Sequence, residues 1–242
     1  TGVTNEVIQA INIPVQNEQY RDCIWMCWWQ GLENAPEMVK RCVESIKSHA
    51  GNHKIVIITN DNYADFVTFP AWIEEKYKKG IITKTHLSDL LRITLLAQYG
   101  GIWLDSTFFC TGDLELCFGM PVWSIKRPDY RHVSVACGEF ANYSFGCTSE
   151  YRKVFAILRE YLLDYWKCYD YMIDYLFLDY LIVLARRQNA YVDAAFAQIV
   201  PNNQNCDELL KILGKEFDSK EWGKFCKISI FLLNTQAYMK SL

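Results

Sequence analysis

The residues with the most chemistry in them lie between Ser88 and Thr107, in the order Ser-Asp-Leu-Leu-Arg-Ile-Thr-Leu-Leu-Ala-Gln-Tyr-Gly-Gly-Ile-Trp-Leu-Asp-Ser-Thr. Asp89 and Arg92 are three apart and share one face of a helix. Leu91, Leu95 and Leu96 form its opposite side, expected to be buried. Gly100-Gly101 stops that helix, and Ile102-Trp103-Leu104 follows as a short strand. The strand delivers Asp105 to its carboxyl end, where open α/β sheets bind ligands. A strand-end carboxylate and an Asp/Arg pair on the preceding helix can converge on a hydroxyl-rich ligand. Taken one by one, the same residues have plainer roles. The Asp/Arg pair is a surface ion pair worth a few tenths of a kcal/mol, and Asp105 is a turn residue or N-cap.

The elements that must position these residues are legible from the hydrophobic pattern. Residues 22–29 are a nearly continuous apolar run ended by Gln30-Gly31, the pattern of a buried parallel strand. Residues 35–48 have helical period, with Pro36 in the first turn. Residues 54–59 are a second buried strand. Strand, helix and strand in about forty residues make a right-handed βαβ unit the default. Residues 71–79 and 86–99 read as helices, the second with Thr85 as a possible cap. Residues 121–126 and 132–137 read as strands. Residues 150–167, 170–187 and 207–217 read as helices, with a polar loop at 201–206. The expected fold class is α/β: an α/β domain over residues 1–148, and a helical subdomain over 149–242 packed on it as one compact unit.

The string S-D-L-L-R-x-x-x-L-x-x-x-G-G-I-W-L-D resembles the sugar-binding region that contains the DXD motif of a glycosyltransferase family. It is most similar to the capsular polysaccharide synthesis glycosyltransferases, and more distantly to outer-chain mannosyltransferases and clostridial glucosylating toxins. Residues 24–31 with Pro36, residues 56–63, and Asp174-Tyr175-Leu176-Phe177-Leu178-Asp179-Tyr180 resemble further segments of that family in the same order. The resemblance covers roughly residues 20–185. It implies a GT-A-like fold with a mixed, mainly parallel sheet. It also implies transfer of a hexose, with retention, from a nucleoside-diphosphate sugar (UDP is the expected nucleotide) to a bacterial surface glycan such as a capsular polysaccharide.

The resemblance also implies roles. Trp28, Trp29, Gln30, Gly31 and Asn60 would cradle the base and ribose. Asp89 and Arg92 would hydrogen-bond the donor sugar, and Gly101 and Asn142 would lie on the donor side. Asp105 would meet ribose, sugar and a divalent ion, Mn²⁺ or Mg²⁺, which suit hard oxygen ligands. The second carboxylate of DXD is Thr107 here, a neutral hydroxyl that gives up attraction to the cation. Capsular-type members are similar in carrying a small residue there, so the change is not read as inactivation. Asp170, Asp174 and Asp179 are either a solvated stripe or an acceptor-side group.

Composition narrows the alternatives. A net charge of −3 argues against nucleic acid as a partner class. The ten cysteines include no CxxC pair, and they read mostly as small buried thiols of a reducing cytoplasm. His49, His53, His86 and His132 show no metal-ligand spacing. No run of about 18 apolar residues spans a membrane, and residues 1–6 lack the pattern of a signal peptide. The chain does not begin with Met, so it reads as a processed product or a piece of a longer protein. A cytoplasmic enzyme at the inner membrane face, using a glycan or lipid-linked saccharide acceptor, fits these limits. Lys76, Lys78 and Lys79 beside Trp72, Ile73 and Tyr77 are a candidate peripheral membrane contact, although a solvated helix end explains them more simply. Two rivals remain: a non-catalytic sugar-binding module on the same fold, and a sugar-phosphate nucleotidyltransferase. The latter class usually carries an N-terminal Gly-rich phosphate loop, absent from the first 30 residues.

Overall fold

The computed structural model describes residues 2–127 and 134–203, residues 206, 216, 218–220 and 222, and the backbone of 231–232. The elements run α1 (Asn5–Ala10), β1 (Ile24–Cys27), α2 (Glu37–His49), β2 (Ile55–Ile58), α3 (Ala71–Lys78), α4 (Lys84–Tyr99), β3 (Gly101–Leu104), β4 (Phe108–Phe109), β5 (Val122–Ser124), β6 (Ser144–Cys147), α5 (Arg152–Cys168), α6 (Phe177–Gln188), α7 (Ala190–Ala197) and β7 (Phe231–Leu232). Five strands form a mixed sheet in the order β2-β1-β3-β6-β5. β1 pairs in parallel with β2 and β3, while β6 pairs antiparallel with β3 and β5. A separate two-stranded sheet joins β4 to β7. The α/β class and mixed sheet expected from the sequence are present.

Alternation along each strand sends its side chains into two cores. Cys23, Trp25, Cys27, Trp103 and Phe145 face α4 and α5. Ile24, Met26, Ile102 and Leu104 face the other way, toward Val39, Val43 and Ile46 of α2. The sheet is therefore covered on both faces, which is why β1 and β3 are apolar without interruption.

α4 is the central helix. Thr83 caps it, its side chain accepting from the His86 N–H at 3.4 Å, so the helix begins ahead of Thr85. It is buried continuously from Asp89 to Ala97, because the sheet lies on one side and α5 on the other. Arg152 of α5 donates from Nη1 to the Gln98 carbonyl at 2.6 Å, satisfying an orphan group at the α4 C-terminus. Gly100 and Gly101 both have positive φ, +69° and +79°. At Gly101 a Cβ would lie 2.3 Å from the Cys23 carbonyl oxygen, so the close approach of β3 to the start of β1 requires glycine.

Several expected elements change. The helix expected over 170–187 begins only at Phe177. Asp174 Oδ1 accepts from the Leu176 N–H at 2.7 Å, a turn that precedes the helix. In the strand expected over 132–137, residues 134–137 form a turn and 132–133 lie outside the described residues, as does His132. The helix expected over 207–217 also lies almost wholly outside them. α1, α7 and β6 were not anticipated. The nine described cysteines are thiols, and no disulfide joins them. Among the described residues no helix is long and apolar enough to cross a membrane.

Candidate functional site

Trp103 and Asp105 are two apart, so both point to the α4 side of the sheet. The Trp103 indole Nε1–H donates to Asp105 Oδ1 at 2.7 Å. Arg92 of α4 meets them there. Its Nη2 lies 3.4 Å from Asp105 Oδ1 and 3.3 Å from Asp89 Oδ1. Its Nη1 donates to the Asn142 carbonyl, and its guanidinium sits 5.3 Å above the Trp103 ring. Asn142, in the turn before β6, donates from Nδ2 to Asp179 Oδ1 at 2.8 Å. One guanidinium thus gathers Asp89, Asp105 and, through Asn142, Asp179.

Asp89 and Arg92 are 8% and 5% exposed, which excludes a surface ion pair. Nor do they face away from all the leucines: Leu95 and Leu96, three and four residues after Arg92, lie beside it, and every face of this part of α4 is covered. Asp105 is the most open member, with 31% of its side chain accessible. Burial, opposed by the attraction of Arg92 and helped by Asp105 and Asp179, pushes the Asp89 carboxyl up to about 7. Burial also raises Asp179 to about 6, opposed by the Asn142 hydrogen bond and by Arg92. Arg92 loses by burial, but Asp105, Asp89 and Asp179 together hold it above its ordinary value. One cation shared among three carboxylates leaves the cluster short of positive charge.

This has a consequence for stability. Asp89 and Asp179 keep a proton in the folded chain at pH values where the unfolded chain has lost it, so the folded state binds more protons. Their contribution is complete below about pH 4 and is lost as pH rises through about 6 to 7. Melting temperature measured over that range should fall more steeply for the native chain than for Asp89→Asn. A difference between the two that does not change with pH would show that Asp89 titrates as it does in the unfolded chain.

The carboxyl ends of the parallel strands complete the site. Trp28 donates its backbone N–H to the Ile58 carbonyl at 3.0 Å, and Asn60 donates to the Trp29 carbonyl at 2.9 Å. Residues 28–31 and Asn60 therefore share the sheet edge that carries Asp105. Trp29 Nε1 donates to Ser88 Oγ at 2.8 Å, tying this loop to α4 one residue ahead of Asp89. Gly31 turns at φ +80°, and Gln30 and Asn60 are exposed. The Trp28 Nε1 atom is buried without a hydrogen-bond partner. Cys27, at the end of β1, has its thiol raised by burial and then by Asp105, a further sign of how near the loop and cluster are.

Gly101 is not brought to this site. It begins β3, four residues before Asp105 and about 13 Å away along the strand, and its role is the contact with Cys23. Thr107 does not follow the alternation either. The Phe108 N–H donates to the Asp105 carbonyl at 2.8 Å, closing a turn over Asp105 to Phe108. Extended-strand geometry therefore says nothing about where Thr107 points. Asp179 is the residue that spacing alone left undecided. Its signal was the resemblance of residues 174–180, while Asp170 pairs with Lys76 at 2.7 Å and Asp174 holds the turn before α6.

Among the described residues no group of three or more His, Cys, Asp or Glu side chains is placed to hold a metal ion. Oδ1 of Asp105 is taken by Trp103 and Arg92. The set fits a divalent ion carried mainly by substrate phosphates with one protein carboxylate, the usual way Mg²⁺ is held at diphosphates. It does not fit an ion caged by protein ligands alone.

Fold and site together define an α/β domain with a buried, arginine-centred carboxylate cluster at the carboxyl edge of its sheet. The chain belongs to the family of capsular polysaccharide synthesis proteins, whose family model matches residues 3–242. It is 29% identical over 109 residues to the O-glycosyltransferase PaGT of Phomopsis amygdali, covering 41% of this chain and 27% of that protein. It is 30% identical over 101 residues to the O-glycosyltransferase braB of Annulohypoxylon truncatum, covering 38% and 24%. The chain thus spans about a quarter of the length of these curated relatives. Among solved structures it is similar to the PaToxG Glycosyltransferase, at TM-score 0.45 and 15% identity, over 85% of this chain and 84% of that one. A likeness that weak says nothing about chemistry.

Proposed function

We propose that the chain is a glycosyltransferase that takes a nucleoside-diphosphate sugar and passes its hexose to a hydroxyl of a saccharide acceptor. The observation that carries this reading is Asp105, a half-open carboxylate anchored by Trp103 and Arg92 at the sheet edge that also bears the Trp28–Gly31 loop. The family supports it, and both curated relatives are named as O-glycosyltransferases.

In this reading the unpartnered indole N–H of Trp28 is a donor waiting for a ligand acceptor, in a loop suited to the base and ribose. Asp105 contacts the donor directly. Asp89, just behind it, accepts from a sugar hydroxyl, and Arg92 fixes both carboxylates rather than reaching the donor itself. Asp105 would hold Mn²⁺ or Mg²⁺ together with the diphosphate, and the ion when bound neutralises the leaving group. Asn142 positions Asp179 on the far side of Arg92. Residues 1–148 carry the donor, and the helical part after 149 lies toward the acceptor. A bacterial surface glycan as acceptor, a GT-A-like fold, UDP as nucleotide, retention at the anomeric carbon and a cytoplasmic site of action belong to the same proposal.

The test is a donor screen. The chain is incubated with a panel of nucleotide sugars and Mn²⁺ or Mg²⁺, and released nucleoside diphosphate is measured. One donor should turn over, excess EDTA should stop the release, and added Mn²⁺ should restore it. Full activity in EDTA would remove the metal from the mechanism. No release with any donor, together with binding of free sugar in a calorimeter, would make the chain a sugar-binding module.

A further inference from the structure

Between α5 and α6 the chain carries a row of aromatic side chains into solvent. Tyr169, Tyr171, Ile173 and Tyr175 are 45%, 58%, 60% and 64% exposed, and Tyr180 on α6 follows at 44%. The other large apolar side chains exposed among the described residues, such as Val15 and Leu116, are scattered along the chain. Single exposed apolar residues need no explanation, whereas a concentrated run marks an interaction surface.

The run is held in place. Lys76 of α3 donates from Nζ to the Tyr169 carbonyl at 2.9 Å and to the Trp166 carbonyl, and pairs with Asp170 at 2.7 Å. The Tyr165 hydroxyl donates to the Tyr171 carbonyl at 2.6 Å. The Tyr169 ring lies 5.0 Å from that of Tyr165 and 5.7 Å from that of Tyr171. A surface already ordered loses little conformational entropy when it binds. It also leads into the site. Tyr175 is four residues before Asp179, at most about 14 Å of chain, and Tyr180 is the next residue after it. Asp179 joins the Arg92 cluster through Asn142.

We propose that this tyrosine row is the acceptor subsite, which stacks saccharide rings and leads the acceptor's end toward Asp105. The inference rests on the transferase reading above. Tyrosine suits a saccharide because its ring packs on the apolar face of a sugar while its hydroxyl meets the sugar's hydroxyls. Charge separates this occupant from a membrane. The row carries Asp170 and Asp174; Lys76 is spent on Asp170 and two carbonyls, and the exposed Lys167 beside the row does no more than balance the second carboxylate, so an anionic lipid surface finds no net positive charge there.

Saturation-transfer NMR tests the proposal on the full chain, with UDP present. The probes are methyl glycosides of glucose, galactose, mannose and N-acetylglucosamine, and disaccharides of the same sugars. At least one disaccharide should receive saturation. The Tyr171→Ala/Tyr175→Ala double variant should lose that signal by a factor of about five or more, the usual weight of an aromatic anchor. The Tyr171→Phe/Tyr175→Phe variant should retain most of it, and circular dichroism should confirm that both variants are folded. Sedimentation with phosphatidylglycerol vesicles is the second arm. No saccharide signal in the native chain, an unchanged signal in the alanine variant, or a loss confined to vesicle binding would overturn the proposal. Titration of the native chain with a panel of nucleoside diphosphates, UDP among them, separates the two readings. Absence of binding to every one of them defeats the transferase reading, whereas nucleotide binding without saccharide binding defeats this subsite alone.

Discussion

Asp105→Asn is expected to lower kcat/KM for the donor by about 100- to 1,000-fold, roughly 3–4 kcal/mol of transition-state stabilisation, the range seen when one electrostatic group is removed from an active site. The asparagine keeps an oxygen in the place of Oδ1, so the Trp103 indole retains its acceptor and the turn to Phe108 is undisturbed. What is lost is the charge that, in the proposed function, faces the donor. Asp105→Ala is the less informative variant. It orphans the Trp103 N–H and removes one of the carboxylates around Arg92, at about 1–3 kcal/mol of stability. Its contacts with Trp103 and Arg92 give this carboxylate a part in the fold as well as in the site. Initial rates and melting curves for both variants check the expectation. An asparagine variant with near-native kcat/KM would reduce Asp105 to a turn residue.

Arg92→Ala should be the most destabilising single change in the cluster, by about 3–5 kcal/mol, the cost of stripping one partner from a buried ionic group. That is a large part of the 5–15 kcal/mol that ordinarily holds a domain together. The guanidinium is the cation shared by Asp89 and Asp105, and it also donates to the Asn142 carbonyl that helps seat Asp179. Arg92→Lys should recover only part of the loss, because an ammonium cannot serve these acceptors with a planar fork. Urea unfolding should show a larger penalty at pH 8 than at pH 5, since the raised Asp89 and Asp179 carboxyls are ionised only at the higher pH. The double variant Arg92→Met/Asp89→Asn should cost less than the sum of its parts, because the carboxylate beside the guanidinium is neutralised together with its cation. A loss below about 1 kcal/mol for Arg92→Ala would mean that water screens the pair as at a surface.

The sequence by itself determined what depends on near neighbours. The uninterrupted apolar runs around Ile24–Cys27 and Ile55–Ile58 have one stable use, as strands covered on both faces. Gly100-Gly101 must end α4, and the short distance from there to Asp105 puts that carboxylate at a strand end. Only the tertiary structure decided what Asp89 and Arg92 are. Three-residue spacing places them on one face, but whether that face meets water depends on the turn at Asn142 and on α6, 50 or more residues later in the chain. A helix buried all round has no polar stripe to read. The same limit hid β6, whose Ser144–Cys147 strand carries Gly146 packed against Ile102, with no period of its own. It also left Asp179 undecided, since its partner Asn142 is 37 residues away in sequence. Local pattern fixes which groups a segment can offer, and the packing of distant segments fixes their solvent, charge balance and company, because burial and Coulomb energy depend on distance in space and not along the chain.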